Sequence, residues 1–266
     1  MYRKPGAATI KAWLQNDNAL HSLEDYSENG FVIAPFDTND KLLFFPQKAC
    51  RVLECELPQN IPTPSFTLQN SPTTDAEQSH KKLINNALKA IEKDVFSKVV
   101  LSRTHEVIHS ENPLNRLPEL FLRMQHLYPA AMVYCWFHPS VGCWMGATPE
   151  KLFSVEGTHI TTMALAGTQK FVDGQDAVWG DKERQEQQFV TDFIANQLHP
   201  LTAELHIGKQ HTARAGNLWH LKTEISGTLI NPDNSIEKLV TALHPTPAVC
   251  GVPRKVATSF ITENEN

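Results

Sequence analysis

The chain has 266 residues, a formal net charge of −5 and 41% hydrophobic residues. That length buries a sizeable core in one large domain or two small ones, and the charge leaves no basic footprint for nucleic acid. No apolar run approaches the length of a membrane span, the N-terminal "MYRKPGAATIKAWLQ" has no signal-peptide core, and the five cysteines form no C-x-x-C pair, so reduced thiols in a cytoplasmic compartment are expected.

In chain order, residues 1 to about 60 mix short apolar runs ("FVIAPF", "KLLFFP", "CRVLECEL") with turn residues and read as strands. "PQNIPTPSFTLQNSPTTDAEQSH" is rich in Pro, Ser, Thr and Asn and reads as a connecting segment. In "HKKLINNALKAIEKDVF", Leu83, Ile84, Ala87, Leu88 and Ile91 recur at helical spacing. "SKVVLSRTHEVI" is β-branched and alternating and predicts a strand with Lys98, Val100 and Ser102 on one face. "LPELFLRMQHLYP" is a helix opened by Pro118 and closed before Pro129. "AAMVYCWFH", "GCWMGA", "KLFSVEG" and "THITTMALAG" read as consecutive strands joined by hairpin turns. A long helix, "DKERQEQQFVTDFIANQLHPL", precedes the strand "LWHLKTEISGTLI". Two more helices, "SIEKLVTALH" and "PRKVATSFITEN", flank a proline-rich loop. Strands in runs with helices between them predict an α+β fold with antiparallel sheets.

Several residues along this path suit chemistry, though each also has a plain structural reading. A lone lysine such as Lys98 usually snorkels to water. Desolvation or neighbouring cations would lower its pKa and make it a base. Glu150, in "GATPEKL", stands where a strand enters a tight turn, as an exposed carboxylate or a general acid at a sheet's end. Glu183 and Glu186 are three apart, on one helix face, either as an ordinary charged surface or as two hard donors for Mg2+. "LAGT" (165–168) ends a strand at a glycine, which suits a turn or close backbone approach to a ligand. His220 lies on a strand, where most histidines are structural. In "TALHPTPAVCGVP" the prolines stiffen the chain and Gly251 permits close approach, which suits a pocket wall better than a tether.

Taken in succession, "SKVVLSR", "GATPEKL", "LAGT", "KERQEQ", "HLKTEISGTL" and "LHPTPAVCGVP" resemble the chorismate-utilising enzymes, over roughly residues 80–266. That family includes isochorismate, anthranilate, aminodeoxychorismate and salicylate synthases. The resemblance implies antiparallel sheets packed as a sandwich with helices outside. Residues 1–75 would form a β-rich part and residues 76–266 the chorismate-binding region of one structural domain. "HPTPA" (244–248) looks like the isochorismate synthase branch, which uses water rather than ammonia.

By this resemblance, chorismate is converted reversibly to isochorismate. Lys98 matches the base that activates water, and Glu150 the acid that protonates the departing hydroxyl. Glu183 and Glu186 match Mg2+ ligands. Gly167, Thr168, His220, Thr246, Ala248 and Gly251 match substrate contacts and pocket wall. The resemblance implies no glutaminase subunit, a monomer or weak homo-oligomer, and a product feeding menaquinone or a siderophore. A salicylate synthase, or a catalytically dead binding protein on the same fold, is the alternative.

The chain departs from the family's pattern in two places. Gln187 stands where the family usually has histidine. Family members also continue past "RKVATSFITENE" into segments carrying substrate-binding and metal-binding residues. The chain is therefore expected to be incomplete at its C-terminus, and inactive or nearly so in this form.

Overall fold

The computed structural model describes residues 1–24, 26–37, 40–58, 69–70, 74–108, 112–233 and 235–265. The N-terminal strands are β1 (Tyr2–Arg3), β2 (Thr9–Gln15), β3 (Gly30–Ile33), β4 (Leu43–Pro46) and β5 (Cys50–Glu56). After β6 (Gln69–Asn70) come α1 (Thr74–Glu92), β7 (Lys98–Val99), β8 (Val107–Ile108) and α2 (Leu117–Leu127). The strands β9 (Met132–His138), β10 (Gly142–Thr148), β11 (Ser154–Glu156) and β12 (His159–Lys170) lead into α3 (Asp181–Leu198). The chain ends with β13 (Thr202–Ile207), β14 (His211–Ala215), β15 (Leu218–Leu229), α4 (Ser235–Leu243), β16 (Gly251–Val252) and α5 (Arg254–Asn264).

The expected α+β class is what the chain adopts, with antiparallel pairing throughout its two large sheets. The connecting segment of residues 58–80 lies mostly outside the described residues, although α1 already begins at Thr74. The chain divides into two compact units. One comprises residues 1–67 and 109–151, the other residues 68–108 and 152–266.

In the first unit the sheet order is β10-β9-β1-β2-β5. Inward residues Ile10, Val133 and Cys135 pack with Phe121 of α2, and all four are nearly or fully buried. Pro118 in the first turn of α2 sacrifices no helical hydrogen bond, because that N–H would have no partner there. Trp136 and Trp144 stack across β9 and β10 with ring centroids 5.9 Å apart. Burial pushes the Cys135 thiol up to about 11, with neighbouring Cys143 adding to the shift.

In the second unit the order is β11-β12-β15-β13, with β14 also on β15. Period-two alternation turns Ile160, Thr162, Ala164 and Ala166 of β12 inward, as it does Leu221, Thr223, Ile225 and Leu229 of β15. Against this face α3 lays Val190, Ile194 and Leu198, spaced for one helical stripe, and α4 adds Leu239 and Leu243. Burying each such side chain is worth about 1.5–3 kcal/mol, so this cluster anchors α3 to the sheet.

Three expectations need correction. The long strand over 97–108 is only β7 and β8. Its partner β16 is two residues long, so the ladder ends after Val99. "LAGT" does not end its strand: β12 runs on to Lys170, and the glycine makes a bulge between Ala166 and Thr168. Finally, β13 and β14 form where no strand was expected, while β1 and β2 lie within the N-terminal region that reads as strands but outside the apolar runs singled out there.

Candidate functional site

Lys98 opens β7, facing Val252 of β16, with Gly251 opposite Val99. The Ser97 N–H donates to the Val252 carbonyl and the Val100 N–H to the Cys250 carbonyl, both at 2.7 Å. These bonds clamp the start of β7 to the exit of the proline loop. A Cβ at Gly251 would lie 2.1 Å from the Lys98 carbonyl oxygen and 2.6 Å from the Ala257 Cβ, so only glycine fits. Lys98 does not snorkel to water. It is 8% exposed, its Nζ donates to the Pro247 carbonyl, and Glu186 Oε1 of α3 lies 3.6 Å away. Residues 98, 186 and 247 thus meet in one place.

The loop is a packed wall. Pro245, Thr246, Pro247 and Cys250 are buried, and Ala248 rests on the core cluster of the second unit. The Val249 and Cys250 N–H groups donate to the Thr246 carbonyl at 3.1 and 3.0 Å, closing a tight turn. Arg254 reaches back to donate to the carbonyls of Thr241, Ala242 and His244, at 3.4, 2.8 and 3.2 Å. A cation there satisfies the orphan carbonyls at the end of α4 and complements its dipole.

A second cluster forms on the same unit, where the bulge of β12 meets the N-terminus of α3. Gly167 has φ +65°, and a Cβ on it would touch the Glu183 Cβ at 3.4 Å. The bulge turns its carbonyl toward His220, whose Nδ1 lies 3.1 Å from that oxygen and 3.2 Å from Thr168 Oγ1. A carbonyl only accepts, so Nδ1 carries a proton, and in the neutral ring Nε2 then holds the lone pair. Desolvation holds the imidazole below its ordinary pKa, and the Gly167 hydrogen bond partly offsets this.

Glu183 Oε2 accepts from the Gly180 N–H at 3.2 Å, so this carboxylate caps the helix that carries it. The donor set therefore holds two half-buried carboxylates, one beside a helix N-terminus and one already facing a cation, the Lys98 ammonium. Among the described residues no cluster of three or more His, Cys, Asp or Glu could hold a metal. Two hard carboxylates are enough protein donors for Mg2+, whose remaining positions go to water and substrate oxygens. These residues fit that ion.

Glu150 falls in the other unit, just beyond β10, where its N–H donates to Thr148 Oγ1 at 3.2 Å. Lys98, Gly167, Thr168, Glu183, Glu186, His220, Thr246, Ala248 and Gly251 all belong to the second unit.

Sequence reasoning missed the part played by Gln187. It is fully buried and makes hydrogen bonds through both ends of its amide. Its signal was present: Gln187 sits on the same helical stripe as Val190, Ile194 and Leu198, a polar residue in an apolar register.

The fold places the chain in a class of α+β proteins with antiparallel sheets backed by helices. It superposes on the menaquinone-specific isochorismate synthase MenF of Escherichia coli with a TM-score of 0.78 and 21% identity, covering 99% of this chain and 72% of that one, a likeness of fold alone. Against a Bacillus anthracis protein assigned as the 2,3-dihydroxybenzoate-specific isochorismate synthase DhbC, the TM-score is 0.72 with 26% identity, over 89% of this chain and 66% of that one. Residues 34–266 match the family described as chorismate binding enzyme, and the chain belongs to that family. The salicylate biosynthesis isochorismate synthase of Pseudomonas aeruginosa is 31% identical over 215 residues, which are 76% of this chain. The chain spans 43% of the length of that relative. Among the described residues no helix is long and apolar enough to cross a membrane.

Proposed function

We propose that the protein carrying these residues is an isochorismate synthase, converting chorismate reversibly to isochorismate with Mg2+. One observation carries the reading: the Lys98 amine is buried out of water, held at the Pro247 carbonyl of the loop and close to Glu186 of α3, the proposed metal ligand that Mg2+ would draw away from it. Family membership and the relatives' activity support the same substrate.

In this reading water adds at C2 of the ring while the C4 hydroxyl leaves and the double bonds shift. Lys98, once neutral, takes the proton from the attacking water. Glu150 gives a proton to the departing hydroxyl, which leaves as water. Each group is expected to contribute about 10²–10⁴-fold. Mg2+ bound through Glu183 and Glu186 would neutralise substrate carboxylate charge and orient the ring. Gly167, Thr168 and His220 would contact substrate, and the walls at Thr246, Ala248 and Gly251 would shape access for water.

The test uses the complete protein and follows products by chromatography. Lys98→Ala and Glu150→Gln should each lower isochorismate formation by at least about 100-fold while circular dichroism shows the fold retained. Near-wild-type turnover by either variant overturns its role. Salicylate with pyruvate, or an aminated product when ammonium is supplied, would overturn the assigned reaction.

A further inference from the structure

The helix carrying both candidate metal ligands faces a problem its apolar packing does not solve. Val190, Ile194 and Leu198 hold α3 against the sheet, but non-directional contacts tolerate small rotations and slides. Glu183 and Glu186 project from the opposite end of the helix, where such motion would matter most.

We infer that Gln187 is a positioning residue that fixes the rotation of α3, and so the placement of Glu183 and Glu186, through a buried hydrogen-bonded tie to the sheet. This rests on the metal assignment proposed above and adds to it a determinant that touches neither metal nor substrate. Gln187 follows Glu186 directly and lies one helical turn beyond Glu183. Its side-chain Nε2 donates to Thr223 Oγ1 of β15 at 2.8 Å and to Thr191 Oγ1 of α3 at 2.9 Å, with the Ala164 carbonyl of β12 at 3.5 Å. Its Oε1 accepts from Gln210 Nε2, between β13 and β14, at 2.6 Å. Gln210 in turn accepts from Arg184 Nη1 of α3 at 3.4 Å. The helix is therefore tied to two strands of the sheet and to the turn beside them.

The partners are buried as well: Gln187 is 0% exposed, Thr223 3% and Thr191 5%. A slide of α3 would break hydrogen bonds that water cannot replace, and unpaired buried amides are costly. The same strands present the other half of the candidate site. On β12, Gly167 lies three residues beyond Ala164, and on β15, His220 lies three residues before Thr223. The tie thus sets Glu183 and Glu186 relative to Gly167 and His220.

The test measures Mg2+ affinity of the complete protein by titration calorimetry, with melting temperature recorded alongside. Gln187→Leu strands several buried groups and can fail to fold, so the informative variants trim the partners: Gln210→Ala and Thr223→Val. The control is Thr202→Val, which removes a buried bond from Thr202 Oγ1 to the Leu198 carbonyl, 2.9 Å, at the far end of α3. The expected result is Mg2+ binding weakened about tenfold in both trimmed variants, the scale seen when the supports of metal ligands are removed. Thr202→Val should melt earlier yet bind Mg2+ like the unmutated protein. Unchanged affinity in the trimmed variants, or an equal loss in Thr202→Val, overturns the inference. Absence of Mg2+ binding by the unmutated protein overturns the metal assignment, and the inference with it, before any variant is compared.

Discussion

The two halves of α3 are built from different chemistry. From Val190 to Leu198 the buried side chains are mostly apolar, and the helix there is held by area removed from water. From Asp181 to Gln187 the inward residue is an amide, and two carboxylates project near the bulge of β12 and the lysine of β7. Apolar contact supplies most of the binding energy but little direction. Hydrogen bonds supply less net energy and much more direction. One half therefore keeps the helix on the sheet, and the other is inferred to set where the two candidate carboxylates stand.

The largest expected effect tests the first half. Leu198 is fully buried, and Leu198→Ala should cost about 2–5 kcal/mol of stability, read by urea unfolding. The comparison requires that Mg2+ affinity of the folded variant stay as it was. Affinity falling in step with stability would mean that the two halves do not divide the work. Next comes Gly251→Ala. The added methyl must displace both the Lys98 carbonyl and Ala257, and such overpacking costs about 1–3 kcal/mol. Unlike Leu198→Ala, it disturbs the strand that presents Lys98, so isochorismate formation should drop as well. Full turnover in a destabilised Gly251→Ala protein would detach Lys98 from the reaction. Smaller still in stability is Glu183→Gln. The amide oxygen still accepts from Gly180, so the change should stay within about 0.5 kcal/mol. Mg2+ affinity should nevertheless fall by at least about tenfold, measured by calorimetry.

The same contrast explains what could be read from the sequence. The α-helices of the described residues all fall on stretches read as helices, α1 from its apolar spacing and α2 from its proline punctuation, because those signals are local. The strands β13 and β14 escaped because "TAELHI" and "HTARA" bury little: only Thr202 in the first is buried, and none of the second. The stretch after Lys98 looked like a strand because its residues favour one, but pairing ends with the two-residue partner β16. The candidate site's residue types stand out as a succession of motifs. Their contacts do not, since Lys98 and Pro247 are 149 residues apart in the chain. Gln187 looked like a departure from a motif, and its buried partners on the sheet give it a physical role.

The smallest expected effect concerns His220, beside the polar half of α3. Burial holds its pKa below the ordinary 6.5, against the weaker pull of its Gly167 hydrogen bond. The unfolded chain takes up a proton near 6.5, while the folded protein resists until a lower pH, when Nε2 is protonated. Between those two values the unfolded state binds more protons, so folding loses stability as pH falls through that window. The contribution is complete above about 6.5 and levels off below the folded-state value. Unfolding free energies from pH 7.5 to 5 should therefore decline more steeply in the unmutated protein than in His220→Asn. Subtracting the two profiles removes every other titrating group they share. Leu198→Ala, which deletes only apolar contact, should lower the whole profile without changing its slope. Parallel profiles for the unmutated protein and His220→Asn would show that burial beside the β12 bulge does not disfavour the charged imidazole, and the neutral ring expected from that burial would have to be abandoned.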